Sequence, residues 1–301
     1  MSLYVAAHRD RFGLEPICRV LRVNASAVRS RLSRPPSATA IADEDVKAKI
    51  RVVFDANYRV YGCRKIKAAL AREHSLVVDK DRVARLMREL GIRGVVRGRK
   101  VFTTKSDPAA ERAPDLVKRV FHADRPNVLW VSDFTYVPTW TGMVYVAFVL
   151  DVYSRFIVGW RASTTMRTDL VMDALNQGVH ARCTMLTGLI THSDAGSQYT
   201  SIRYTERLAE IGAQPSIGTV GDSYDNAMAE SLNGLFKAEL IWQQGPWRNV
   251  EHVELATLMW VEWFNHHRLH GELAHLTSAE FEDLYYRQPR PEYPVPTTTR
   301  T

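Results

Sequence analysis

Three β-rich runs in close succession, residues 128–137, 144–151 and 156–160, constrain the fold of this chain more than any other feature. Only Gly142 and the turn around Ser154 separate them, connections far too short for a crossover, so three consecutive antiparallel strands are predicted. Helical and extended segments then alternate: 168–181 helical, 189–192 extended, 202–211 helical and 213–217 extended. A meander followed by such alternation dictates an α/β fold, a mixed sheet flanked by helices. Two long helices, 223–241 and 250–269, and a short one, 278–286, should complete this half. In a chain of 301 residues, 46% hydrophobic content is ample for the core this requires.

Upstream of about Asn127 the chain reads as small and helical. Residues 12–32 suggest two short helices broken near Asn24, with Pro16 tolerable in a first turn, and Arg34-Pro35-Pro36-Ser37 ends them. Asp43 is a plausible N-cap for a helix over 43–57, and a second covers 64–73. On a third, Val83, Leu86, Met87 and Leu90 recur at helical spacing, Arg82, Arg85 and Arg88 lie on the outer side, and Gly91 stands where a left-handed residue closes a helix. Such a trio suggests a helix-turn-helix, extended by Arg93, Arg97, Arg99, Lys100 and Lys105. The expected domains are a helical stub and linker (1–42), the helix-turn-helix region (43–105), a linker (106–125), the sheet domain with its C-terminal helices (126–288) and a disordered tail (289–301).

Charge follows this division. Residues 1–125 hold 28 Lys and Arg against 14 Asp and Glu, and residues 126–301 hold 12 against 19, which leaves +14 against −7 and a net +7. A basic half suits a polyphosphate backbone, whereas an acidic half suits metal ions. No run approaches the roughly 18–20 apolar residues of a membrane span, and the N-terminus, with His8, Arg9, Asp10 and Arg11, lacks a signal-peptide core, so a cytoplasmic, nucleoid-associated protein without membrane contact is expected. Cys18, Cys63 and Cys183 are isolated and point to neither a disulfide framework nor a cysteine zinc site.

Three acidic residues carry the chemistry. Asp133 lies in the first predicted strand and Asp194 just past the fourth, so adjacent pairing of those strands sets the carboxylates side by side. Two like charges about 4 Å apart repel by roughly 4 kcal/mol at an effective dielectric near 20, a penalty that a dication removes. On the next helix Asn226, Glu230, Asn233 and Lys237 share one face opposite Met228, Leu232 and Leu235. That face offers a third carboxylate with amides and a cation to hold a phosphate. Ligation by oxygen alone points to Mg²⁺, with Mn²⁺ as a substitute, rather than zinc. His266, His267 and His270 put only two imidazoles on a common helical face and read as a polar surface patch. Ser193 lacks a nucleophile elbow, and Tyr136 and Tyr153 within apolar strands read as packing residues rather than nucleophiles.

The pattern Trp130-x-x-Asp133, His192-Ser193-Asp194-x-Gly196-Ser197-Gln198-Tyr199 and Asp225-Asn226-Ala227-x-x-Glu230-Ser231, with 35 residues between the second Asp and the Glu, resembles the DDE core of retroviral-type integrases. More narrowly, it resembles the OrfB-type catalytic subunit of bacterial insertion-sequence transposases. Lys237, Asp151-x-x-Ser154-Arg155, Tyr61-Gly62-x-Arg64-Lys65-Ile66 and Phe264-Asn265-x-x-Arg268-x-His270 match further positions of that pattern. Ala279, where the family often has proline, and Ser26-Ala27-Val28 depart from it. The resemblance implies a ribonuclease-H-like fold and Mg²⁺-dependent cleavage and strand transfer. Water would free a 3′-OH at a transposon end, and that hydroxyl would attack a second phosphodiester. It further implies inverted-repeat ends and target DNA as partners, a homo-oligomer on DNA, and an upstream OrfA-like subunit or frameshift fusion. It carries over Asp133, Asp194 and Glu230 as metal ligands and Gln198, Asn226 and Lys237 as DNA contacts, with Arg64, Lys65, Arg82 and Arg85 as candidate contacts in the helical region. A non-catalytic DNA binder and a structure-specific nuclease stay open as alternatives on the residues alone.

Overall fold

The computed structural model describes residues 1–96, 114–117, 121–182, 186–218 and 226–288. Arg97, Arg99, Lys100, Lys105, Cys183, most of the expected 106–125 linker, the first residues of the expected 223–241 helix and the 289–301 tail lie outside the described residues. Two compact units divide the chain, Met1–Val52 and Val53–Thr301.

In the first unit, α1 (Ser2–Phe12), α2 (Leu14–Val20) and α3 (Ala25–Ser33) close on Val5, Ile17, Cys18 and Val28. Sequence predicted two helices here; α1 is the addition, and its apolar residues form no stripe that could have announced it. Asn24 caps α3, its Oδ1 accepting from the Ser26 amide at 2.9 Å. The helix expected from Asp43 begins earlier, as α4 (Ala38–Ala56). Ser37, directly after the two prolines, accepts from the Ala40 amide at 3.1 Å and so starts the helix before Asp43.

The second unit takes in the end of α4 and continues with α5 (Cys63–His74) and α6 (Lys80–Glu89). Asp79 caps α6 through the Asp81 amide at 2.7 Å, Val83, Leu86 and Met87 are buried, and Gly91 takes the expected positive φ of 68°. Beyond it, β1 (Leu129–Thr139), β2 (Gly142–Asp151), β3 (Ile157–Ser163), α7 (Thr168–Arg182), β4 (Ile190–Ser193), α8 (Ile202–Glu210) and β5 (Gln214–Ile217) follow in the predicted order. The sheet runs β3-β2-β1-β4-β5, antiparallel through the meander and parallel from β1 to β5. β1 pairs with β2 from Trp130↔Asp151 to Thr139↔Gly142, but with β4 only from Leu129↔Ile190 to Ser132↔Ser193.

Helix α7 lies on one face, over a core of Trp130, Val149, Val158, Leu170, Ala174 and Leu175. The approach is close enough to require glycine: a Cβ on Gly159 would stand 2.0 Å from the Ala174 carbonyl oxygen. On the other face Phe148, Phe236 and Trp260 pack edge-on with centroids 5.0–6.1 Å apart. Phe236 ends α9 (Ala227–Phe236), and instead of one helix to residue 241 the chain makes a π-helical turn, Lys237–Ile241, before a single turn, α10 (Trp242–Gln244). α11 (Val250–His266) and α12 (Ser278–Arg287) complete the unit, α12 opening with a Thr277–Glu280 capping box.

Candidate active site

Strand register creates the site. Asp133 is the first residue of β1 beyond its last parallel partner, Ser132↔Ser193, and Asp194 directly follows β4. The two acids therefore stand at the same level, where the pairing of β1 with β4 ends, side by side as the sequence predicted. α9 lies across this point and is tied to β1 twice. Asn226 Nδ2 donates to the Ser132 carbonyl at 3.2 Å, and Asn233 Nδ2 donates to Asp133 Oδ2 at 2.9 Å. Glu230 lies between these tethers on the same helical face.

The electrostatics are those of crowded, desolvated acids. Burial pushes Asp133 well above its ordinary 3.8, the charges of Asp194 and Glu230 push it further, and bonds from the Phe134 amide and Asn233 oppose the rise. Asp194 is likewise raised by burial and by Glu230, while the Gly196 amide, donating to Oδ1 at 3.1 Å, and His192 pull it down. A Cβ on Gly196 would lie 3.0 Å from that Oδ1 and 3.2 Å from Gln198 Oε1, so glycine lets this loop fold tightly around Asp194. The three carboxylates thus feel one another, yet among the described residues no three acidic, His or Cys side chains are closed around one shared ion position. Oxygen donors with amide tethers suit a hard dication, which would offset the mutual repulsion.

Lys237 belongs to the same constellation. Its Nζ stands 4.3 Å from the Tyr136 ring centre; burial lowers its pKa and the charge of Asp133 raises it in part. Gln198 sits on the Asp194 loop and donates to the Met166 carbonyl at 2.9 Å. The four basic residues in the helical region are placed on α5 and α6 instead. Arg64 is exposed, Arg82 half-buried, and Arg85 exposed with a 2.6 Å bond to Glu89. Lys65 turns toward the Tyr61 ring at 5.0 Å, and burial together with Arg268 brings its pKa down to about 7.

Asn233, which sequence placed on the Glu230 face among the amides that could hold a phosphate, is a direct partner of Asp133. The other motif residues serve the scaffold. Asp151 accepts from the Asn127 amide at 2.7 Å and from the Tyr153 amide at 2.9 Å, fixing the β2–β3 turn. Asn265 caps the free edge of β3 like a short strand, accepting from Ile157 N at 2.8 Å and donating to its carbonyl at 3.0 Å. The expected histidine surface patch is corrected: α11 stops at His266, His266 and His267 are exposed, and His270 is buried against Phe264 and Arg268. Among the described residues no helix is long and apolar enough to cross a membrane.

Residues 123–223 and 211–277 match two family models described as integrase core domain, and residues 40–100 match an HTH-like domain. A Mycobacterium tuberculosis protein of insertion sequence element IS986/IS6110 is 50% identical over 261 residues, 85% of this chain and 94% of that protein. The transposase for IS629 of Shigella sonnei is 48% identical over 283 residues, covering 92% of this chain and 94% of its own. The transposase for IS904 of Lactococcus lactis is 34% identical over 258 residues, 83% of this chain and 98% of its own. Among solved structures, the HTLV-2 integrase catalytic core domain in complex with magnesium is 15% identical, with a TM-score of 0.41 over 54% of this chain and 99% of that one.

Proposed function

The chain belongs to the insertion-sequence transposases built on an integrase core, polynucleotidyl transferases that cleave and join DNA, and on that premise we propose that Asp133, Asp194 and Glu230 are its catalytic acids and hold Mg²⁺. The observation that supports this most directly is the meeting of Asp133 and Asp194 where the parallel pairing of β1 with β4 ends, with both carboxyl groups pushed upward by burial, Asp133 also by Asp194 and Glu230, and Asp194 also by Glu230. Bound there, divalent ions would supply charge neutralisation to the phosphoryl oxygens as one phosphate ester is exchanged for another. The protein's own groups do the positioning. Asn233 fixes the Asp133 carboxylate, the Gly196 amide fixes Asp194, and Asn226 holds the β1 backbone against α9. Lys237, a cation beside Asp133 on a partly desolvated stem, is the group suited to a DNA phosphate, and Gln198 to the strand beside it. The helix-turn-helix region, with Arg64, Arg82 and Arg85 at or near its surface, suits the inverted-repeat duplex, and Lys65 packs behind that surface against Tyr61. Two ends held together imply a homo-oligomer on DNA, with an OrfA-like partner or fusion completing end recognition.

Ion binding has a signature independent of turnover. A carboxyl group whose folded-state pKa is raised stabilises the protein most below its unfolded value, and that contribution is lost as pH rises through the folded value. The metal-free chain should therefore melt at progressively lower temperature as pH is raised from about 4. Millimolar Mg²⁺ should reverse the trend at neutral pH, by about 2.7 kcal/mol when its concentration is 100 times Kd. Asp133→Asn should flatten the pH slope and remove the Mg²⁺ response. A Mg²⁺-induced shift equal in parent and variant would place the ion elsewhere.

Asn233→Ala should lower Mg²⁺-dependent cleavage about 10- to 100-fold, with part of the loss recovered at higher Mg²⁺, because it orients a ligand rather than reacting. An oligonucleotide nicking assay across a Mg²⁺ series checks this; full activity at every concentration would remove Asn233 from the site.

A further inference from the structure

The far end of the β1–β2 hairpin presents large apolar side chains to solvent. Trp140 at its turn is 70% exposed, Met143 42% and Tyr136 41%. Tyr136 and Pro138 alternate on one face of β1, and Met143 stands opposite Pro138 in the register, so the exposed groups form a strip rather than scattered points. The strip is held rigidly. The Trp140 amide donates to the Trp247 carbonyl at 3.0 Å and the Thr141 amide to the Arg248 carbonyl at 3.3 Å, while Gly142 makes the turn at φ 126°. Trp247 itself is buried and bonded to the Ile241 carbonyl at 3.0 Å. A contiguous apolar strip on an anchored turn has the character of an interaction site.

Charge and position identify that occupant. Lys237 lies over Tyr136 within the field of Asp133, which joins the strip to the catalytic acids, and exposed Arg248 flanks its other end. Trp140 lies seven residues beyond Asp133, about 23 Å along an extended strand, a reach of several nucleotides. Aromatic faces set between cations suit unpaired bases on a phosphate backbone, since stacking accepts any base and the cations take the phosphates. We infer that Tyr136, Trp140 and Met143 form a stacking platform for unpaired nucleotides of the DNA leaving the catalytic acids, with Lys237 and Arg248 on its phosphates. This rests on the reading of Asp133, Asp194 and Glu230 as the reaction centre.

Fluorescence anisotropy with the full-length chain tests it, using a labelled duplex with a single-stranded overhang and the same duplex blunt-ended. Trp140→Ala should weaken overhang binding about fivefold or more and leave blunt-duplex binding unchanged; Trp140→Phe should retain most of the preference. Tyr136→Ala, measured in parallel with circular dichroism, gives a second reading at a separate position, with the same selective loss expected. Equal affinities of parent and Trp140→Ala for both DNAs, or equal losses on both, would overturn the platform. So would a change in sedimentation of the DNA-free Trp140→Ala protein, which would make the strip a contact between copies. The binding is measured without Mg²⁺ and in an Asp133→Asn background, so failure of the platform leaves the catalytic reading intact, and catalysis surviving Asp133→Asn would sink that reading instead.

Discussion

Asp133→Asn should reduce Mg²⁺-dependent cleavage and strand transfer by about a thousandfold or more while DNA affinity stays within about twofold of the parent. Asparagine has the same shape and can still accept from Asn233, so the local structure survives while the charge is lost. Removing the Asp133 charge also relieves its repulsion with Asp194 and Glu230, and the metal-free variant should melt at the parent's temperature or above it. Lost chemistry with preserved stability separates a catalytic role from a structural one. Asp194→Asn and Glu230→Gln should behave alike in an oligonucleotide joining assay. Joining above about a tenth of the parent rate in any of the three would remove that residue from the catalytic set.

Arg268→Met should instead destabilise the chain, by about 3–5 kcal/mol in chemical denaturation, because it strands the buried Glu239 carboxylate. Arg268 donates Nη2 to Glu239 Oε1 at 2.6 Å and Nε to Oε2 at 2.9 Å, with both side chains almost wholly removed from solvent. Its guanidinium also lies 5.2 Å from the Phe264 ring centre and contacts the His270 ring nitrogen at 3.3 Å, and burial together with its charge pushes His270 well below the usual imidazole range. Replacing the pair together, Arg268→Met with Glu239→Leu, should recover most of the loss, since an apolar pair leaves no uncompensated charge. A double variant as unstable as the single one would show that the rings around Arg268, rather than the ion pair, hold this region together.

Sequence carried the sheet and the acids because both depend on local signals. The β-rich runs 128–137 and 144–151 and the short turn at Gly142 specify the meander, and from the parallel pairing of β1 with β4 the meeting of Asp133 and Asp194 follows by register. What failed depended on tertiary partners. Lys-Ala-Glu-Leu-Ile at 237–241 contains ordinary helix formers, and its π turn coincides with a Glu239–Arg268 contact across 29 residues. Lys65 carries the same motif signal as Arg64, and only packing against Tyr61 distinguishes the inward side chain from the outward one. His270 reads as surface when α11 is extended to residue 269; the helix stops at His266 and returns His270 to the interior. Asn233 shared a face with Glu230 on helical spacing alone, but which amide would meet a carboxylate required the crossing of α9 over β1.

The π turn bears on which single-residue losses the chain tolerates. A turn of this kind is a helix carrying one surplus residue, so loss of a single codon within 237–241 keeps the reading frame and permits an unbroken α-helix. Because the turn absorbs the surplus residue, the segments on either side keep their orientation after such a loss, whereas the same residue carried in plain α-helix would rotate everything downstream by about 100°. The cost falls inside the turn, where Lys237 faces Tyr136 and Glu239 faces Arg268, a pair of contacts that needs the spacing of these five residues.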